Sequence, residues 1–146
     1  MTRRHPEFKP ERGQSLVEFA MVVPLLLLVV VGIIEFGRAW NQSQVVTDAA
    51  RQGARTAAVL NSDPVATEDS VRHVVERALA NGNIDPNANG VTIEIENFQG
   101  GTNTPASVRV SVPYQFVMFG PVMALASQSF PDASIMLRSR SIMRNE

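Results

Sequence analysis

The chain has 146 residues, a formal net charge of −1 and no cysteine. Once its apolar run and the flanks of that run are set aside, the length suffices for one small domain, and a large enzyme core is excluded. Without cysteine the chain can form neither a disulfide framework nor a thiolate metal site, so the domain must depend on its own core or on partners.

Residues 1–13 form a charged leader, whose ionisable side chains are Arg3, Arg4, Lys9 and Arg12 against Glu7 and Glu11. The leader therefore carries a charge of +2 and leaves −3 for the remainder. Its prolines, Pro6 and Pro10, and its lack of apolar periodicity predict a disordered segment. Because basic residues that precede a membrane span tend to stay cytoplasmic, we expect the rest of the chain to be extracytoplasmic.

An apolar run follows the leader. It has no charged residue from Phe19 to Ile34, and it extends back over Glu18 to Leu16. A helix of this length covers roughly 28 Å, close to the ~30 Å hydrocarbon core of a bilayer. The run therefore predicts one membrane-spanning helix, with a kink at Pro24, which removes an intrahelical hydrogen bond.

Glu18 is the exception inside this run. A carboxylate in an apolar span costs about 2.5 to 3.5 kcal/mol to insert on translocon scales, so its presence points to a function. The alternative is that Glu18 lies at the headgroup boundary and marks where the membrane begins.

A secretory signal is the alternative interpretation of the whole region, because Gly37-Arg38-Ala39 offers small residues at a plausible cleavage spacing. Apolar cores of secretory signals usually have about 7 to 15 residues, and this run is longer and has Glu18 at its head. We therefore favour a retained anchor over cleavage after Ala39.

The helical pattern continues past Trp40 to Leu60. Trp40 is an aromatic residue suited to the outer interface of the membrane that the helix would span. Glu35 and Arg38 are three residues apart, and we expect them to form a solvated ion pair just outside the membrane. Small residues recur in two rows further on: Ala49, Gly53 and Ala57, and beside them Ala50, Ala54 and Ala58. These rows favour helix packing against another subunit's helix or, as an equal alternative, against the protein's own sheet.

Several motifs in this region occur together and in order. They are Gly13-Gln14-Ser15-Leu16-Val17-Glu18-Phe19-Ala20, Pro24 with the following leucines, Glu35-Phe36-Gly37-Arg38, and Asp48 to Arg55. This segment, about residues 12 to 58, resembles the amino terminus of TadE-like proteins of tight-adherence pilus systems, which look like relatives of type IV pilins.

The resemblance implies cleavage after Gly13 by a prepilin peptidase, which would make Gln14 the first mature residue. Glu18 would then be the fifth mature residue, where the pilin pattern carries its glutamate, and we expect Glu18 to act in assembly. The first mature residue departs from the pattern, because major pilins usually begin with Phe or Met.

Residues 61–146 predict an extracytoplasmic α+β domain. Its first element is a helix capped by Asp63, with Pro64 in the first turn, or a shorter one that starts at Thr67; Asn81-Gly82 ends it. Three strands are expected: residues 91–96, residues 108–112 with an extension past Pro113, and residues 133–143. Because proline cannot donate to a ladder, Pro113 predicts a bulge or an edge. Residues 120–131 are expected to form a loop or a short helix.

No pattern in the sequence predicts catalysis, a cofactor or a metal. His73 has no ligand at metal spacing, and the carboxylate pairs, such as Glu94 and Glu96, are predicted to face solvent. Arg51 and Arg55 alone do not make a nucleic-acid patch. We therefore expect neither an enzyme nor a nucleic-acid-binding protein.

The sequence as a whole predicts an α+β protein with a leader (1–13), a long transmembrane and amphipathic helix (14–60) and an extracytoplasmic domain (61–146). The domain is expected to add a second helix and a three-stranded antiparallel sheet. The resemblance implies a minor pseudopilin of the cytoplasmic membrane, with the prepilin peptidase, other pilin-like subunits and the pilus assembly machinery as partners. The alternative is a single-pass, membrane-tethered binding module of the cell envelope, which would keep residues 1–13.

Overall fold

The computed structural model describes residues 11–61, 63, 65–101, 104–118 and 134–144. The elements are α1 (Glu11–Leu60), α2 (Glu68–Asn81), β1 (Thr92–Glu96), β2 (Pro105–Gln115) and β3 (Ser134–Arg144). This architecture, a long amino-terminal helix, a second helix and a three-stranded antiparallel sheet, confirms the predicted α+β fold. Residues 120–131, predicted as a loop or a short helix, lie outside the described residues.

Helix α1 has 50 residues and contains Pro24 in its interior. At 1.5 Å per residue it is about 75 Å long, more than twice the thickness of a bilayer core. It begins at Glu11, three residues before the predicted start at Gln14. The predicted disorder of the leader is therefore wrong for residues 11–13, and residues 1–10 lie outside the described part of the chain.

The sheet has the order β1-β2-β3, with both pairs antiparallel. Alternation along β2 puts one set of side chains against α1, and every member of this set is buried: Ala106, Val108, Val110, Val112 and Tyr114. The opposite face of the sheet carries a charge ladder, in which Arg109 binds Glu94 and Arg140 binds Glu96, each at 2.9 Å.

The core lies between the second half of α1, helix α2 and the inner face of the sheet. Helix α2 contributes Val71, Val75 and Leu79, spaced four apart so that they share one face. The apolar face of α2 thus covers the part of α1 that the sheet leaves open.

Helix α2 starts where the shorter of the two predictions placed it. Its N-cap is Thr67, and Glu68 and Asp69 in the first turn suit the positive end of the helix dipole. Asp63, the other candidate cap, instead accepts a hydrogen bond at 2.9 Å from the backbone N–H of Val65. The side chain of Asp63 therefore stabilises a turn that precedes the helix.

Pro113 lies at an edge and not at a bulge. The pairing of β2 with β3 continues through Pro113 without a break, whereas the pairing of β1 with β2 ends at Ser111. Beside Pro113, at the end of the turn that leads to β1, Gly90 has a φ of +88°, and an added Cβ would lie 3.2 Å from the Pro113 ring. A glycine there allows both the left-handed turn and the close approach.

Gly82, just after α2, lets this end of the helix touch α1. A methyl group on Gly82 would overlap the side chain of Val45, including its Cβ, which cannot rotate away. We predict that Gly82→Ala lowers the free energy of unfolding by about 1 to 3 kcal/mol, the usual cost of overpacking. Thermal unfolding of the detergent-solubilised chain, followed by circular dichroism, measures the loss.

Gly37→Ala is the matched control for Gly82→Ala, because an added Cβ at Gly37 meets nothing within 4 Å. This variant should be as stable as the unmodified chain or slightly more so, since alanine is the better helix former. Equal unfolding temperatures for the two variants would contradict the packing explanation.

Candidate functional site

The first half of α1 offers an apolar surface that the rest of the chain does not cover. Its most apolar 18 residues have a mean hydropathy of 2.8, and none of them is buried. A core helix of a soluble protein would bury most of such a surface against its neighbours. In the described part of the chain, α1 is the one helix long and apolar enough to span a membrane.

The predicted processing residues lie at the start of this surface. Gly13 is exposed in the first turns of α1, and an added Cβ there would contact nothing within 4 Å. The side-chain amide of Gln14 donates a hydrogen bond to the Glu18 carboxylate at 3.1 Å, one helical turn away. The glutamate therefore has a polar neighbour on its own helix.

Glu18 has no cation beside it in the described part of the chain. Its carboxylate lies on the exposed side of α1, between large apolar side chains such as Val17 and Phe19. Inside a bilayer, a carboxylate without a cation beside it has an insertion cost in free energy. A positive group from another molecule would offset part of that cost.

The predicted packing row is used inside the protein. Ala49, Gly53 and Ala57 are all buried in the core. An added Cβ at Gly53 would lie 2.5 Å from Val75 of α2 and 3.1 Å from Val108 of β2. Of the two alternatives for this row, the structure shows packing against the protein's own helix and sheet, which leaves no room for a second subunit's helix there.

Glu35 corrects the prediction of a solvated ion pair. Its side chain is 0% exposed, although it directly follows the apolar run. The Tyr114 hydroxyl donates to one carboxylate oxygen at 2.6 Å, and the backbone N–H of Met118 donates to the other at 2.5 Å. Arg38 lies at 3.7 Å and is the weaker neighbour. We call Glu35, Tyr114 and the Met118 amide the junction cluster.

The junction cluster attaches the end of β2 to α1 where the apolar run of the helix ends. Burying one charge costs several kcal/mol, and a hydrogen bond to a charged group contributes about 1.5 to 3 kcal/mol, so Glu35 needs both donors. Burial, and then the hydrogen bond and charge of Glu35, raise the pKa of Tyr114 above its usual 10.0. Tyr114 therefore stays a neutral donor at physiological pH.

Sequence reasoning missed this cluster because its members are far apart in the chain. The available signals were a glutamate directly after an apolar run and the chain's one tyrosine on the apolar face of a strand. Each of these is common alone, and only the register of β2 against α1 brings them together.

His73 lies 3.5 Å from Glu76 on the exposed side of α2. No group of three or more potential metal-ligating side chains occurs among the described residues.

We predict that Tyr114→Phe destabilises the domain by about 1 to 3 kcal/mol, because it leaves the buried Glu35 carboxylate without its shortest side-chain donor. Arg38→Ala should cost at most about 1 kcal/mol, since that ion pair is long and half-exposed. Thermal unfolding measures both, and equal losses would show that Tyr114 is not the principal partner.

The ionisation of Tyr114 gives an independent readout, since the chain has no other tyrosine. A raised folded-state pKa means that the contribution of Tyr114 to stability is present below its ordinary pKa and is lost as pH rises through the folded value. Phenolate absorbance should therefore appear at higher pH in the folded chain than in the unfolded chain. Glu35→Gln should reduce the difference, and an unchanged titration would exclude the contact.

The model of a family described as TadE-like protein matches residues 13–55. A search of the curated proteins and a search of the solved structures found no significant match. The matched segment contains Gly13, Glu18 and Glu35 and ends inside the buried part of α1, so it confirms the resemblance predicted from the sequence motifs.

Proposed function

We propose that this TadE-like chain is a minor pseudopilin, which is a subunit in the assembly of a tight-adherence pilus. A prepilin peptidase would cleave the chain before assembly. The observation that carries the proposal is the matched helix itself. Its first half is apolar and exposed, and five residues after a glycine it carries a glutamate that has no cation beside it among the described residues. These features are typical of a membrane helix that packs against the helix of another subunit.

Two features of the chain support assembly through the first half of α1 while the second half carries the domain. All of the small residues in the two rows of α1 except Ala58 are buried in the domain's own core, so we assign the assembly contacts to the first half of the helix. The junction cluster attaches the domain to the helix where the apolar surface ends. Movement of the helix within an assembly would therefore carry the domain with it.

The orientation follows from charge. The basic residues of the leader favour a cytoplasmic location for residues 1–13, which places the domain outside the cytoplasmic membrane. The peptidase would then act on the cytoplasmic side, beside Gly13. Because Gly13 is near the start of α1 and glycine is a poor helix former, unwinding the first turn for cleavage costs little.

Processing after Gly13 is the first test of this function. The protein extracted from membranes should have the mass of a chain that begins at Gln14. Gly13→Val should block the cut, because a branched side chain does not fit a peptidase site shaped for glycine. Gly37→Val is the matched control, since Gly37 is also a glycine of α1 with open space around it, and it should be cut normally.

Mass spectrometry distinguishes the possible outcomes of this experiment. A mature chain that starts at Met1 would favour the membrane-tethered binding module over the pseudopilin. A start at Trp40 or nearby would show a secretory signal instead.

Glu18 is the second test. Cleavage would create an amine at Gln14, one helical turn from this carboxylate. Within one helix the contact is awkward, whereas a neighbouring helix shifted along its axis can bring its own amine to Glu18. The resulting ion pair would offset part of the cost of the buried charge and fix the axial register between subunits.

We predict that Glu18→Ala and Glu18→Gln both leave membrane insertion and cleavage intact, because losing a charge makes the span more apolar. Both should nevertheless impair crosslinking to partner pilins and the production of pili. Glu68→Ala, at an exposed acid of α2, is the control and should assemble normally. Normal crosslinking and piliation in both Glu18 variants would mean that this residue only marks the membrane boundary.

A further inference from the structure

The outer edge of β3, meaning the edge that faces away from β2, is long and unoccupied in the part of the chain that the structure describes. Strand β3 pairs with β2 over all 11 of its residues, and no described strand pairs with its other side. Such an edge presents a row of unpaired backbone N–H and C=O groups and is a template for strand addition.

The direction of the peptide groups on β3 follows from two observations elsewhere in the sheet. The Arg72 guanidinium of α2 donates to the backbone oxygen of Ile93 at 3.4 Å, so this carbonyl points away from β2. The backbone N–H and C=O groups of successive residues point to opposite sides of a strand. Ile93 faces Val110 in the register, so the backbone groups of Val110 point toward β3. By the same alternation the backbone of Pro113, which has no N–H, points to the side where β2 has no partner.

Continuing the alternation across the register gives the groups at the outer edge of β3. Val110 pairs with Ser139, so the peptide groups of Ser139 point inward. Those that point outward belong to Met136, Arg138, Arg140 and Ile142.

The opposite edge of the sheet is protected in a way that β3 is not. Strand β1 has only five residues, and Arg72 caps one of its outward carbonyls. Short edge strands and charged side chains over an edge are the usual means of preventing strand addition. Of the two edges of the sheet, only that of β3 combines length with exposed backbone among the described residues.

Two cavities lie between α1 and β3, one near each end of the strand, and we call the two together the trough. One cavity, of about 420 Å³, is lined by apolar groups of α1 and by Ile135 and Leu137 of β3. The other, of about 480 Å³, lies between the end of α1 and Met143 and Arg144. The inward-facing side chains of a fourth strand would enter this trough, where apolar residues would cover the exposed sides of Ile135 and Met143.

The charge of β3 specifies the partner further. The strand carries Arg138, Arg140 and Arg144 and no acidic residue. Among the described residues, Arg140 alone of these three arginines has an ion-pair partner, Glu96, on the outer face of the sheet. No carboxylate in the described residues pairs with Arg138 or Arg144, so acidic side chains on an added strand would meet unpaired guanidinium groups.

We propose that the outer edge of β3 binds an extended segment of a partner protein as a fourth strand. This segment alternates apolar residues, which enter the trough, with acidic residues, which lie beside Arg138 and Arg144. Strand β1 shows the same chemistry within the chain, because its isoleucines face the core while Glu94 and Glu96 bind arginines on the outer face. The proposal uses the sheet alone and does not depend on the role in a pilus.

The probe is a synthetic 11-residue peptide in which valine alternates with glutamate, matched in length to β3. Its control is the same peptide with lysine in place of glutamate. Fluorescence anisotropy with the detergent-solubilised full chain should show binding of the acidic peptide only, weakening as salt is added. Equal binding of the two peptides would overturn the charge complementarity.

Residue-resolved amide exchange tests the position of the bound peptide. In the protein alone, the outward amides of Met136, Arg138, Arg140 and Ile142 should exchange quickly, while the inward amide of Ser139 is protected. The acidic peptide should slow all four outward amides. If they are already protected without the peptide, the chain itself covers this edge and the proposal is wrong. Protection elsewhere on addition of the peptide would also overturn it.

Two substitutions at Arg138 separate its charge from its backbone. Arg138→Ala keeps the N–H and should weaken binding about two- to fivefold, the range for an exposed ion pair. Arg138→Pro also removes the outward N–H and should weaken it about tenfold or more. Because this N–H lies outside the ladder to β2, the amides of Val108 to Val112 should stay protected in both variants. Unchanged peptide affinity in a folded proline variant would exclude strand addition at this edge.

Discussion

Helix α1 is continuous, but its first half is exposed and its second half packs in the core. The rest of the structure depends on this difference between the two halves. Its first half keeps large apolar side chains on every side, whereas its second half replaces them on one face with alanine and glycine. Small residues let α2 and β2 approach the helix axis closely, as the contacts around Gly53 show. A helix with large residues throughout could span a membrane, but it could not have carried this compact core.

The change from one environment to the other occurs at Glu35. A buried carboxylate at the end of an apolar run is costly, and it is tolerated here because a tyrosine hydroxyl and a backbone amide both donate to it. Both donors come from the end of β2 and the residues just after it. The register of the central strand against α1 is therefore tied to the point where the helix leaves its apolar segment, and sliding the sheet by one residue would leave the charge without partners.

The sequence predicts the elements of this fold well, because each leaves a local signal. Alternation in Val91 to Glu96 and in Val108 to Val112 predicts strands, and the four-residue spacing of Val71, Val75 and Leu79 predicts a helix with one buried face. The start of α2 was open between two capping residues, since Asp63 and Thr67 both suit a cap. The junction cluster could not be predicted, because a local pattern shows that Glu35 follows an apolar run but not what lies beside it after folding. The leader was predicted to lack a helix, yet α1 extends back to Glu11, since a long helix lowers the cost of adding one more turn.

The two ends of α1 and the two edges of the sheet differ in the same physical respect. In each pair, one member has more of its polar or apolar groups in contact with the rest of the chain than the other has. One face of the second half of α1 is covered by the core, and the short edge of β1 has one of its outward carbonyls bound by Arg72. The first half of α1 and the edge of β3 present an unpaired carboxylate and unpaired arginines among the described residues, each beside exposed apolar groups. Exposed apolar surface of this extent is typical of an interaction site, and both features therefore favour a subunit whose folding leaves contacts for other molecules to complete.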